Sequence, residues 1–376
     1  MKLGAPSAAL AAAVTLALVG CSAGGGDGGN AGSGGSETET RTLTMATPIT
    51  EQSVQGRSVA TWIEAVEEAT DGSIQIEVHS SGSLLAGTDI LPGLVDGRAD
   101  LGMSYSNYHS TDLPYWNVVA YPFVTPSWNV YANTFQQLEE EFPEIEQAWS
   151  DFGVVPLADI TNGAAGSATS EPLDSFADLQ GKRLRAPGLM ADVAAEAGAE
   201  SVFMELSEMY EALQRGVLDG WIGTEFGAAV ALNVQEVTPH FVDYGIGQYS
   251  GARIFANPEV WESLTPEQQA AIESVSENYP SDLIPLVTEI EAEACDTVLD
   301  AGGSVTVADQ GDAGYQAWRE SALEVARAAL VENAEAAGIA AEDYQAVIDR
   351  YIDLAAEVEE SIGDDYVDGL ALCSER

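Results

Sequence analysis

Between residues 43 and 105 the hydrophobic period switches repeatedly, and that alternation narrows the fold to a layered α/β arrangement. Residues 43–46 read as a strand. Val59, Trp62, Ile63 and Val66 fall at i, i+3, i+4 and i+7, which predicts a helix over 58–69. Asp71-Gly72 turns the chain into Ile74-Gln75-Ile76-Glu77-Val78, an alternating strand. A helix over 89–96 and a strand over 100–105 follow, and strand–helix–strand–helix–strand means parallel pairing. A similar unit recurs later. Gly97-Arg98-Ala99-Asp100-Leu101 and Gly216-Val217-Leu218-Asp219-Gly220 each place a helix-ending glycine three residues before an aspartate that opens a strand. Two lobes sharing one topology fit this echo, although a common helix-to-strand loop also produces it. Ligands of open α/β sheets lie beyond the carboxyl ends of strands. Those ends are Ser104-Tyr105-Ser106 and Ile222-Gly223-Thr224-Glu225. From Thr265 the chain turns helical, with a capping-box spacing to Gln268. Helices run to about residue 299, a short strand spans 303–307, and helices are predicted over 314–337 and 341–362.

The segment 178–221 carries the most chemical information. After Gly181, Arg183-Leu184-Arg185 reads as a short strand ended by Pro187-Gly188. Alternation turns Leu184 to a core and puts Arg183 and Arg185 on the other face. An arginine fork suits a carboxylate through two parallel hydrogen bonds, whereas a solvated basic pair is the plainer reading.

The ends and the charge bound the biology. Lys2 followed by an apolar run over 8–19 reads as a secretion signal, too short to span a bilayer. Leu18-Val19-Gly20-Cys21 resembles a bacterial lipobox, in which Cys21 is lipidated; a Gly/Ser-rich tether then leads to about residue 41. This organisation predicts an extracytoplasmic protein anchored to the outer face of the cytoplasmic membrane by lipid. Net charge is −48, with 61 acidic residues and lysine only at positions 2 and 182. Such a chain is unsuited to nucleic acid or to anionic lipid, and the acidity is read as solubility in strong salt, from a salt-tolerant source. With Cys21 lipidated, Cys295 and Cys373 remain as a pair in an oxidising compartment, and a disulfide between them is predicted, the alternative being two buried thiols.

The 178–221 segment resembles the solute-binding proteins of TRAP (tripartite ATP-independent periplasmic) transporters. Its Asp178-Leu179-Gln180-Gly181-Lys182-Arg183-Leu184-Arg185-Ala186-Pro187 and Ser207-Glu208-Met209-Tyr210-Glu211-Ala212-Leu213-Gln214-Arg215-Gly216-Val217-Leu218-Asp219-Gly220 are similar to the family's core motif. Supporting pieces are Tyr121-Pro122-Phe123 and the Asn257…Trp261…Leu264 spacing, and the resemblance runs over roughly 42–335. It implies a two-lobed periplasmic-binding-protein-like (type II-like) α/β fold, each lobe a mixed sheet flanked by helices, with a long connecting helix and a helical C-terminus. Residues 1–20 would be the signal and 21–41 the lipidated cysteine and tether. Lobe I would comprise 42–162 plus 250–295, and lobe II 163–249 plus 296–376. Arg185 matches the family's carboxylate arginine, Tyr105 a ligand-contacting strand end, and Leu206 a position often aromatic against the ligand. Gly223, with Thr224 adjacent, occupies the place where several members grip the carboxylate with Asn. Asn162-Gly163-Ala164-Ala165 lacks the second arginine of some members. These departures favour a small monocarboxylate over an acidic sugar, with Trp221 and Phe226 as candidate walls (or core aromatics) and Thr50 on the opposite side. The implied partners are a small carboxylate solute and the small and large membrane subunits of a permease.

No enzyme motif competes with this reading. His79, His109 and His240 have no metal-ligand spacing, and Gly247-Gln248-Tyr249-Ser250-Gly251 has its serine one place late for a nucleophile elbow. No phosphate-binding Gly-x-x-x-x-Gly-Lys loop occurs, and no cofactor is expected. A binding protein serving a sensor or an ATP-driven importer is the rival; an extracytoplasmic hydrolase is the more remote one.

Overall fold

The computed structural model describes residues 40–376 except 161, 174, 363–368 and 375. The signal, the lipobox Cys21 and the tether therefore lie outside the described residues. Among the described residues no helix is long and apolar enough to cross a membrane.

Strands occur in the order β1 Arg41–Ala46, β2 Ile74–His79, β3 Leu101–Tyr105, β4 Val155–Ile160, β5 Ala165–Thr169, β6 Arg183–Arg185, β7 Glu200–Val202, β8 Gly220–Glu225, β9 His240–Asp243, β10 Ala252–Ala256 and β11 Ser304–Val307. They form two mixed sheets, β2-β1-β3-β10-β4 and β11-β9-β5-β8-β6-β7. The parallel pairing expected of the first strands holds for β2, β1 and β3. β10 then enters antiparallel between β3 and β4, so the chain leaves the first sheet after β4 and returns to it after β9. This return is non-local and has no periodic signature.

Local signals account for the element ends. The first helix, Val54–Ala69, begins four residues before the start expected at residue 58 because Ser53 caps it, accepting from the Gly56 amide at 3.0 Å. The stripe Val59, Trp62, Ile63 and Val66 is buried. Thr265 and Gln268 make the expected capping box at the head of helix Pro266–Asp282. Gly97 and Gly216 both adopt left-handed φ, +69° and +67°. The aspartates after them act alike. Asp100 accepts from the Thr44 amide at 2.7 Å, and Asp219 from the Arg183 amide at 2.9 Å, each stitching a strand start to its parallel neighbour. The repeated unit is thus a repeated hydrogen-bonding device.

The long C-terminal helix Ala341–Ile362 buries Tyr344, Val347, Ile348 and Tyr351 against helix Trp128–Glu141 and the cluster of Trp116, Trp128 and Trp149. It thereby shares a core with the helices flanking the first sheet, although its sequence position lies in the stretch expected in lobe II. At the other side, helix Ile284–Asp300 carries Cys295, which is bonded to Cys373 on the terminal helix Gly369–Ser374.

That crosslink closes 78 residues of chain, a loop for which denatured-state entropy gives about 4 kcal/mol. The double variant Cys295→Ala/Cys373→Ala is expected to keep the fold and unfold at clearly lower temperature. An unchanged midpoint would show that the bond does not constrain the chain.

Candidate functional site

β6 positions the central residue. Leu184 enters the core, fully buried, and the two arginines flank it on the opposite face. They have different fates. Arg183 sits at the strand start and forks onto Asp219, with Nε to Oδ2 at 3.0 Å and Nη2 to Oδ1 at 2.7 Å. That pair is partly exposed and contributes modestly. Arg185 sits at the strand end and is only 3% exposed. Its Nε donates to the Met204 carbonyl at 3.3 Å and its Nη1 to Thr224 Oγ1 at 2.9 Å.

Thr224 reaches Arg185 because β8 is bulged. Against β5, Ser167 faces Ile222 and Gly166 faces Thr224, which leaves Gly223 as the extra residue. Gly223 has φ +74°, and a Cβ there would lie 2.3 Å from Met190 Cγ. The inserted residue resets the alternation, so Thr224 shares a face with Trp221, the register partner of Arg185. A position read from sequence as lacking a gripping side chain is therefore the residue that turns its neighbour into one. The Gly223 carbonyl also accepts from the Tyr249 hydroxyl.

A second buried arginine supplies the contrast. Arg253, 5% exposed, is forked twice, to Glu139 at 2.6 and 2.9 Å and to Asp159 at 2.8 and 2.7 Å. Burial alone would lower its pKa, and the two carboxylates instead raise it far above its ordinary value. Arg185 has no carboxylate within ion-pair distance among the described residues. Burying an unpaired charge costs several kcal/mol. Among the described residues, no carboxylate offsets the Arg185 guanidinium at ion-pair distance.

Phenols surround it. Tyr105, at the end of β3, is 4% exposed, and among the described residues its hydroxyl has no hydrogen-bond partner. Tyr108 is hydrogen-bonded to Arg185 and meets the Tyr105 ring edge-on at 5.8 Å. Burial pushes Tyr108 up to about 12 and drives Tyr105 and Tyr249 further, so all three are neutral donors at ordinary pH. Glu225, 4% exposed, ends β8; burial raises its pKa against hydrogen bonds from its own backbone and Asn162 and the pull of Arg185. The site thus draws on both sheets, with Tyr105 and Tyr108 from one and Arg185, Thr224 and Glu225 from the other.

Of the remaining sequence candidates, Thr50 and Leu206 line one cavity of about 180 Å³ from opposite sides, with Ile49, Ser81, Ala228 and Leu232. Thr50 Oγ1 is buried without a partner among the described residues. Trp221 and Phe226 lie in the core, where both meet the Phe241 ring edge-on, and Trp221 Nε1 donates to Thr238 at 3.2 Å. Cys295 and Cys373 form the crosslink described above. Tyr108 and Tyr249 were not found from sequence. A single 3₁₀ turn after β3 places Tyr108 three residues beyond Tyr105, a spacing that was available to find it. Tyr249 lies in the irregular return from β9 to β10 and carried no local signal. Among the described residues no group of three or more His, Cys, Asp or Glu could hold a metal ion.

The family model DctP, bacterial extracellular solute-binding protein family 7, matches residues 45–333. A monocarboxylate 2-oxoacid-binding periplasmic protein of Nostoc is 25% identical over 263 residues, 67% of this chain and 71% of that protein. An ectoine-binding periplasmic protein of Halomonas elongata is 24% identical over 266 residues, 69% and 76% of the two chains. The crystal structure of a TRAP solute-binding protein from Rhodoferax ferrireducens, with copurified benzoate, has a TM-score of 0.75 at 20% identity, covering 86% of this chain and 100% of that one.

The two buried arginines should respond oppositely to truncation. Arg253→Met strands Glu139 and Asp159 and is expected to cost about 3–5 kcal/mol. Arg185→Met removes an uncompensated charge and should leave the ligand-free protein at least as stable. Denaturant unfolding of both variants checks this; a large loss from Arg185→Met would mean that the guanidinium is a structural tie.

Proposed function

We propose that this chain, which belongs to the DctP family of bacterial extracellular solute-binding proteins, captures a small organic acid on Arg185 between its two sheets. The observation that carries the reading is that, among the described residues, the buried guanidinium has no carboxylate at ion-pair distance and the buried phenol beside it has no hydrogen-bond partner. A carboxylate on the Arg185 fork satisfies both, and exclusion of water strengthens the ion pair. Thr224 holds the fork in place, and Tyr108 and Tyr105 supply neutral donors from the facing sheet. Cross-sheet contacts fit a closed arrangement: Thr88 Oγ1 donates to Glu205 Oε1 at 3.3 Å, and Gly188 packs on Asn107.

The solute we favour is a compact acid held by a single arginine, as the absence of a second arginine near Asn162 implies. The Nostoc relative is named for 2-oxoacid monocarboxylates, and the Rhodoferax structure holds benzoate. In this reading the protein binds without transforming its solute and hands it to the small and large membrane subunits of a TRAP permease. The lipobox at Cys21 would tether it to the outer face of the membrane, and the net charge of −48 would keep it soluble in strong salt.

A thermal-shift screen of the purified protein in high salt, using pyruvate, benzoate and related acids against neutral controls, tests this. At least one acid is expected to stabilise it, and Arg185→Ala should weaken that acid by about 2–5 kcal/mol, roughly 30-fold or more. Unchanged affinity in Arg185→Ala would remove Arg185 from the site.

A further inference from the structure

Three consecutive residues after β7 face three different partners. The Met204 carbonyl accepts from Arg185 Nε at 3.3 Å. Glu205 reaches across to the side of the first sheet, where its Oε1 accepts from Thr88 Oγ1 at 3.3 Å. Leu206 lines the cavity of about 180 Å³ opposite Thr50. The segment that steadies the guanidinium therefore also bridges the two sheets. Glu205 is held in this reach by a capping box. Its side chain accepts from the first turn of the 3₁₀ helix Leu206–Glu208, and its amide donates to Glu208 Oε2 at 3.3 Å. A carboxylate fixed in this way loses little freedom on meeting Thr88.

Thr88 belongs to the 3₁₀ turn Gly87–Asp89, which leads into the helix Ile90–Val95 packed on β3. Gly87 makes room for the contact. A Cβ there would lie 2.6 and 3.2 Å from Tyr108 Cε2 and Cζ, and 3.0 Å from Glu205 Oε2. Tyr108 crosses in the opposite direction, from the side of the first sheet to Arg185. Two ties thus pass each other at Gly87, a phenol reaching out to the guanidinium and a carboxylate reaching back to a hydroxyl. Gly87 does not have a left-handed φ, so its backbone would accept a side chain. What a side chain would remove is the space.

We infer that Gly87, Thr88 and Glu205 form a clasp that closes over the bound acid, so that part of the affinity comes from a contact between the protein's own two halves. The inference rests on the reading that an acid is captured on Arg185 between the sheets. A contact made when the halves meet adds its free energy to binding without touching the solute. Here it joins a hydroxyl to a carboxylate in partly buried surroundings, a class of bond that changes affinity several-fold.

The wild-type protein, freed of copurified solute by unfolding and refolding, is titrated calorimetrically with pyruvate, benzoate, 3-hydroxybenzoate and pyroglutamate. Thr88→Val removes one hydroxyl at nearly constant volume. It should weaken each acid that binds by about fivefold and leave the ligand-free unfolding midpoint unchanged. Glu205→Ala should weaken binding at least as much, and adding Thr88→Val to it should bring no further loss, because both groups serve one bond. Gly87→Ala should fold normally and weaken binding roughly tenfold. Wild-type affinity in Thr88→Val, or losses from Thr88→Val and Glu205→Ala that simply add, would overturn the clasp. If Arg185→Ala still abolishes binding in that case, the carboxylate reading stands without it. Losses in the clasp variants beside normal binding by Arg185→Ala would keep the clasp and remove Arg185 from the site. Wild-type protein that binds none of these acids would overturn both.

Discussion

A buried guanidinium without a counter-ion among the described residues is the constraint on which the rest of this architecture depends. Arg185 is as buried as Arg253, yet Arg253 is closed by two carboxylates and Arg185 by a threonine, a tyrosine and a backbone carbonyl. A fold tolerates such a charge only where other interactions hold the surrounding backbone. Here those interactions are identifiable. β6 is pinned by the Asp219 stitch at its start, and β8 is bulged at Gly223 to turn Thr224 toward the guanidinium. Tyr249, arriving from the return segment between the sheets, fastens the bulge through the Gly223 carbonyl.

The two sheets contribute unequal chemistry to the cluster. The second sheet supplies the charges, Arg185 and Glu225, and the first supplies the phenols of Tyr105 and Tyr108. Neither half alone is a site. The chain passes between the sheets through the segments after β4 and after β9, and Asn162 and Tyr249 in those segments touch the cluster directly. The crossing segments are therefore coupled to the Arg185 cluster by hydrogen bonds, and a change in one is felt in the other.

Sequence carried the parts of this that are local. The stripe from Val59 to Val66, the strand 183–185, the Thr265–Gln268 box and the paired Gly–Asp units all depend on neighbours within a few residues, and all were legible. The antiparallel entry of β10 was not, because strand pairing between residues 103 and 254 leaves no periodic trace. The Arg253 triad, assembled from residues 139, 159 and 253, was hidden for the same reason. Trp221 and Phe226 were ambiguous because β8 is buried on both faces, so alternation could not tell core from cleft. Gly223 was seen as an absence of side chain; its real contribution, a left-handed bulge, lies in backbone conformation.

The central claim is that Arg185 awaits a carboxylate. The most direct measurement is a crystal structure of the protein with the acid that stabilises it most. The account predicts both carboxylate oxygens on the Arg185 fork at about 2.7–2.9 Å, with the Tyr105 hydroxyl no longer without a partner. An acid bound elsewhere, with Arg185 still held by Thr224, Met204 and Tyr108 alone, would contradict it.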